Sequence, residues 1–102
     1  MTPTQRSLAY LRAEGYLVAI VEHWNPFARI RQDLFGFIDL LAIRRDETLA
    51  VQVTASGVSS RVKKIEASPH LSRVREAGWK LHVHGWRKNV KGRYIQRIVD
   101  LS

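Results

Sequence analysis

The 102-residue chain contains no cysteine, only one methionine and three prolines. Without thiols, disulfide frameworks and cysteine zinc sites are excluded, and a protein of the reducing cytoplasm is the expectation. No apolar run approaches the ~20 residues of a membrane span, and the stretch Met1 to Gly15 lacks the basic-then-apolar order of a signal peptide. Neither a glycine-rich phosphate loop nor a Gly-x-Ser-x-Gly elbow is present, which leaves nucleotide-cradling and serine-nucleophile enzymes without support. Internal repeats and low-complexity segments are absent as well. Acidic residues are scarce: nine face seventeen Lys and Arg, giving a formal net charge of +8.

What is present fits a single domain. Hydrophobic residues at 45% and charged residues at 25% are ordinary globular values, and a chain of this size buries enough surface to fold alone. The basic excess is uneven. From Gly57 to Arg97 there are eleven basic and two acidic residues, whereas the remainder carries six basic and seven acidic ones. Such an asymmetry favours a polyanionic partner, nucleic acid first, over a face that merely keeps the domain solvated. No basic amphipathic helix with a broad apolar face points to a membrane surface.

The pattern along the chain predicts a compact α/β order. Thr2-Pro3-Thr4-Gln5 reads as a helix start with a capping box, Leu8 and Leu11 mark its buried side, and Gly15 ends it. Tyr16 to Trp24 is β-branched and aromatic enough for a strand, stopped at Asn25-Pro26, and Asn25 to Asp33 reads as a loop carrying Arg29 and Arg31. Phe37 to Ile43 and Leu49 to Thr54 form a hairpin around Arg45-Asp46-Glu47. Ser59 or Ser60 caps a helix with Val58, Val62 and Ile65 inward, broken by Pro69; a second helical piece covers His70 to Ala77. Two strands follow, Trp79 to Lys88 and Arg93 to Val99, around a turn at Asn89 to Gly92. Helix, three strands, helix pair and two strands imply a mixed sheet flanked by helices.

The hairpin carries the chemistry. Asp39 sits in the run Gly36-Phe37-Ile38-Asp39-Leu40-Leu41, and Gln52-x-Thr54 sits in the next strand, where pairing brings Asp39 and Gln52 side by side. A carboxylate in such apolar surroundings is costly unless it is paired, metal-bound or satisfied by backbone amides. This arrangement resembles the PD-(D/E)XK nuclease superfamily, with its restriction-endonuclease-like αβββαβ core, and in particular the small Holliday-junction-resolvase-like and VRR-NUC-like members. The resemblance covers Thr4 to Trp86. It implies that the second-strand carboxylate and a third-strand acid bind Mg²⁺ or Mn²⁺ and that a lysine two residues later assists the attacking water. Here Gln52 stands at the acid's place and Thr54 at the lysine's.

Those departures direct attention to neighbours. Asp39 with the neutral Gln52 oxygen is a weak site alone, although scissile phosphate brings oxygens of its own. Asp33 either supplies the missing carboxylate or pairs with Arg31, and the pairing is the simpler expectation. Thr54 cannot copy a positive charge, but Arg61 and Lys64 share a flank of the following helix, and Lys64 is the expected substitute. His82 and His84, at i and i+2, suit phosphate contact better than a two-ligand metal site. Trp86 beside Arg87 and Lys88 either stacks on a base or packs at the sheet; Lys63 adds a phosphate contact. The reading that follows is a metal-dependent DNA endonuclease, with branched DNA as the expected substrate and a homodimer left open. The alternatives are a catalytically silent nuclease-fold module that binds DNA or a protein partner and, last, a small phage or mobile-element accessory protein without a nucleic-acid role.

Overall fold

A computed structural model covers residues 1–102. Helix α1 (Pro3–Ala13) begins as its sequence dictates: the Thr2 side chain accepts from the Gln5 amide at 3.1 Å and the Gln5 side chain accepts from the Thr2 amide at 2.8 Å. Gly15 adopts φ +88°, the left-handed conformation that lets the chain reverse into β1 (Leu17–Ile20). The strands β4 (Leu40–Arg44), β5 (Glu47–Thr54), β6 (Lys80–Lys88) and β7 (Tyr94–Asp100) complete a five-stranded sheet in the order β1-β4-β5-β6-β7. Only the β5–β6 pair is parallel, because helices α2 (Val58–Glu66) and α3 (Leu71–Glu76) supply the crossover between them. The fold is therefore α/β with a mixed sheet. No helix is long and apolar enough to cross a membrane.

The two faces of the sheet bury different residues, following the period of two along each strand. Leu40, Ala42, Leu49, Val51 and Val53 pack beneath α1 against Leu11. Phe37, Ile38, Ala50, Leu81 and Val83 face Val58, Ile65, Leu71 and Val74 of the helix pair. Close approach of α2 needs Gly85 in β6, since a Cβ there would lie 2.4 Å from Val58 Cγ2.

Four local expectations change. The strand foreseen over 16–24 ends at Ile20; Val21 still donates its amide to the Asp39 carbonyl, but the chain then leaves the sheet. It enters a separate two-stranded hairpin of β2 (His23–Asn25) and β3 (Ile30–Gln32), so part of the loop foreseen over 25–33, Asn25 and Ile30–Gln32, is strand-paired. The strand foreseen from Phe37 starts only at Leu40, because Phe35 at φ +54° and Gly36 at φ +84° fold Leu34–Ile38 into a turn closed by a Leu34–Ile38 bridge. Finally, Gly57 rather than a serine caps α2. Ser60 Oγ donates to the Gly57 carbonyl at 3.0 Å, and Thr54 Oγ1 accepts from the Gly57 amide at 3.1 Å.

Candidate metal centre

Register sets the first contact of the site. Leu40 pairs with Val51, so the preceding Asp39 lies opposite Gln52, on the sheet face covered by α2. Asp39 Oδ2 accepts from Gln52 Nε2 at 2.6 Å and from the Val53 amide at 2.8 Å. The backbone-amide bond anticipated for a plain structural aspartate is thus present, yet it satisfies one oxygen of a side chain that is 4% exposed.

Two more carboxylates converge there. The Leu34–Ile38 turn folds Asp33 back toward Asp39, and Glu22, at the other foot of the β2–β3 hairpin, completes a group whose ligand oxygens all lie within 4.8 Å of one another. At that separation two unit charges repel by on the order of 3 kcal/mol at an effective dielectric of ~20. Burial, foremost, pushes the Asp39 carboxyl up to about 7; the Val53 amide pulls it back, and Asp33 and Glu22 raise it further.

The cations nearby offset this charge only in part. Lys64 Nζ lies 3.8 Å from Asp33 Oδ2, and Arg31 Nη1 lies 3.9 Å from Glu22 Oε1. Asp33 therefore pairs with Lys64 from α2, and the expected Asp33–Arg31 pair is replaced by Arg31 with Glu22. Both cationic side chains are largely solvated, which weakens their compensation.

Gln52 offers one more oxygen. Its Oε1 is buried without a partner, although the side chain is only 2% exposed. Half a turn of the amide exchanges Oε1 and Nε2 and brings an acceptor against Asp39, a contact that becomes favourable when a proton or cation lies between them. Three carboxylates and an amide oxygen are hard oxygen ligands, and nothing in the set is soft. These residues fit a divalent cation.

The remaining sequence candidates divide by sheet face. Thr54 lines an open groove of about 680 Å³ with Arg61 and Lys64, on the side of Asp39 and Gln52. Its hydroxyl is engaged by Gly57, so it shapes the turn into α2. Arg87 lies on the same face, beside Arg97 and the start of α2. Lys63, Arg29 and Arg31 are exposed. The alternating β6 positions His82, His84, Trp86 and Lys88 face α1, away from the site. Lys88 is exposed at the end of β6, near the Tyr94 ring.

His84 is too deeply buried for the phosphate contact expected of it, and Trp86 takes the packing alternative. His84 is fully buried with Nδ1 at 3.0 Å from Ser7 Oγ, and the Trp86 indole donates to the same hydroxyl at 2.8 Å. Burial, then His82, holds the His84 imidazole down to about 4. His82 is partly exposed, with Nε2 3.7 Å from Asp100 Oδ2; burial again lowers its pKa, against the pull of Asp100.

Glu22 is the site residue that sequence reading missed. It stood inside a run taken for one strand, YLVAIVEHW, and the signal was available: a lone acid in an otherwise apolar segment needs a partner. Among known proteins, no family model matches the chain and no curated protein matches it.

Proposed function

We propose that the protein is a divalent-metal-dependent DNA endonuclease of the PD-(D/E)XK kind. The observation that carries this reading is the convergence of Glu22, Asp33 and Asp39, with Gln52 and Lys64 beside them, at one end of an antiparallel strand pair. The sheet order, with its single parallel pair after the crossover helices, is compatible with the core of that superfamily.

Asp39, Asp33 and Glu22, with Gln52 Oε1, would hold Mg²⁺ or Mn²⁺. Bound there, the cation supplies charge stabilisation to phosphoryl oxygens and eases ionisation of water. The chain's own residues do the rest. The Val53 amide fixes the Asp39 carboxylate before substrate arrives, and in the metal-free protein Gln52 Nε2 holds the same oxygen. Lys64 provides the ammonium that Thr54 lacks, placed to orient a water and to balance charge growing on the phosphoryl group. Arg61 and Arg87, on the same side of the sheet, receive neighbouring phosphates, with Lys63 contributing from the exposed side of α2.

The direct test incubates purified protein with branched and linear DNA in Mg²⁺, Mn²⁺ or EDTA, with Mn²⁺ affinity measured separately. The expected result is cutting that EDTA abolishes, and DNA affinity that falls steeply between low and physiological salt. DNA binding without cutting, together with no saturable Mn²⁺ site, would replace this reading by a catalytically silent nuclease-fold module.

A further inference from the structure

The β2–β3 hairpin stands outside the main sheet and has almost nothing to bury. Phe27 at its tip is 97% exposed and Trp24 is 55% exposed. A two-stranded hairpin is marginal by itself in water, and this one is stiffened locally. Asn25 Oδ1 accepts from the amides of Phe27 and Ala28 at 3.0 and 3.1 Å, Asn25 Nδ2 donates to Gln32 Oε1 at 3.3 Å, and Pro26 fixes the chain between them. The result is an ordered arm that displays an aromatic ring to solvent.

Its charge and orientation say what the ring meets. From His23 to Gln32 the arm carries Arg29 and Arg31 and no acid. Trp24 pairs with Arg31 across the hairpin, so strand alternation sets these two side chains on the face shared with Glu22 and Asp33 at its base. Two residues of strand rise separate Glu22 from Trp24, roughly 7 Å, or about two base steps at ~3.4 Å each. One aromatic ring paired with an arginine on the side of a carboxylate cluster, and a second ring exposed at the tip beside Arg29, match bases held next to a phosphate backbone.

We propose that this hairpin is a DNA wedge: Phe27 enters the stack where paired and unpaired nucleotides meet, Trp24 stacks on the base released, and Arg29 and Arg31 hold the flanking phosphates. The placement of the wedge rests on the nuclease reading for its consequence, that branched or flapped DNA is the preferred substrate and is cut within about two to four nucleotides of the branch. Its binding role stands apart from cutting.

The test therefore uses full-length protein in EDTA. Affinities for a flapped duplex and a linear duplex of equal length are compared at one salt concentration, with permanganate reactivity of thymines at the boundary. Wild type is expected to prefer the flap about tenfold and to make the boundary thymines reactive. Trp24→Ala with Phe27→Ala should remove both effects, lowering flap affinity roughly tenfold and linear-duplex affinity no more than about twofold. Both side chains are exposed, so thermal unfolding should be unchanged. Equal losses on the two DNAs, no loss on either, or no DNA binding by wild type overturns the wedge. So does self-association that the double variant abolishes while flap preference persists, which would assign the hairpin to a second copy. A flap preference that depends on the hairpin in a protein that never cuts leaves the wedge standing and removes the nuclease. Cutting that ignores the hairpin does the reverse.

Discussion

Two polar centres are buried on opposite faces of the same sheet, and they solve the same problem differently. Beneath α1, Ser7, His84 and Trp86 form a neutral set in which one hydroxyl serves two rings. On the α2 face, Asp39 and Gln52 form a set with surplus acceptors: Gln52 Oε1 has no partner, and two further carboxylates crowd Asp39. The first centre is closed by α1; the second reaches solvent through the half-buried Glu22 and Asp33. Burial of a polar group does not by itself mark chemistry. Carboxylates crowded together beside a route outward are the stronger ground for proposing a functional site.

Breaking the charged centre should have the largest effect. Asp39→Asn keeps an acceptor for the Val53 amide and removes the best-fixed ligand charge. Cutting should fall roughly a thousandfold and Mn²⁺ affinity should drop with it, while DNA binding persists and unfolding without metal shows no loss of stability. Equal cutting by variant and wild type would move the active centre away from this cluster.

The neutral centre has a pH response of its own. His84 is held down to about 4 by burial and by His82, whereas an unfolded histidine titrates near 6.5. Below about 6.5 the unfolded chain takes up a proton that the folded chain refuses, so stability is complete above that pH and declines toward pH 4. The full difference is on the order of 3 kcal/mol. Urea unfolding of wild type and His84→Gln at several pH values isolates it, since other groups titrate in both proteins. An identical decline in the two proteins would show that His84 is charged without penalty where it lies.

Lys64→Met sharpens the charged side further. Cutting should decrease about a hundredfold, with DNA affinity changed only severalfold and Mn²⁺ affinity retained. Full activity in Lys64→Met would pass the cation's role to Arg61, which borders the same groove.

How much of this was legible follows from the range of the forces involved. The capping box at Thr2, the turn at Gly15 and the Asp39–Gln52 pairing were readable because each depends on neighbours a few residues apart or on one hairpin register. Helical spacing made the flank of α2 that carries Arg61 and Lys64 readable, though not the Lys64–Asp33 contact itself. Glu22 was not readable, because its partnership arises from a hairpin that looks like a loop in sequence: its strands are three residues long and exposed, with little hydrophobic alternation to reveal them. His84 misled, and the two alternatives for Trp86 stayed open, for a related reason. Alternation assigned them to one face, but only the packing of α1 showed that this face is buried, and Ser7, a small polar residue on a helix, gave no sign that it would satisfy both rings.

Ser7→Ala is the smallest change and the closest test of the contrast between the centres. The substitution adds no bulk and favours the helix, so any loss comes from the two ring nitrogens left unpartnered. Ser7 Oγ accepts from the Trp86 indole at 2.8 Å and lies 3.0 Å from His84 Nδ1. His84 is fully buried and has no partner at Nε2, so removing the hydroxyl leaves that ring with no side-chain hydrogen bond. The cost should be about 1–2 kcal/mol, visible as a lower urea midpoint with an unchanged slope. Trp86 is partly exposed, so water can recover its share, and the effect should stay at the low end. At a temperature where the variant is folded, cutting and Mn²⁺ affinity should match wild type within about twofold, because the α1 face contributes no group to the carboxylate cluster. A large loss of cutting in folded Ser7→Ala would mean that strand β6 transmits a shift from one face to the other, and the two centres would then have to be treated as one coupled unit.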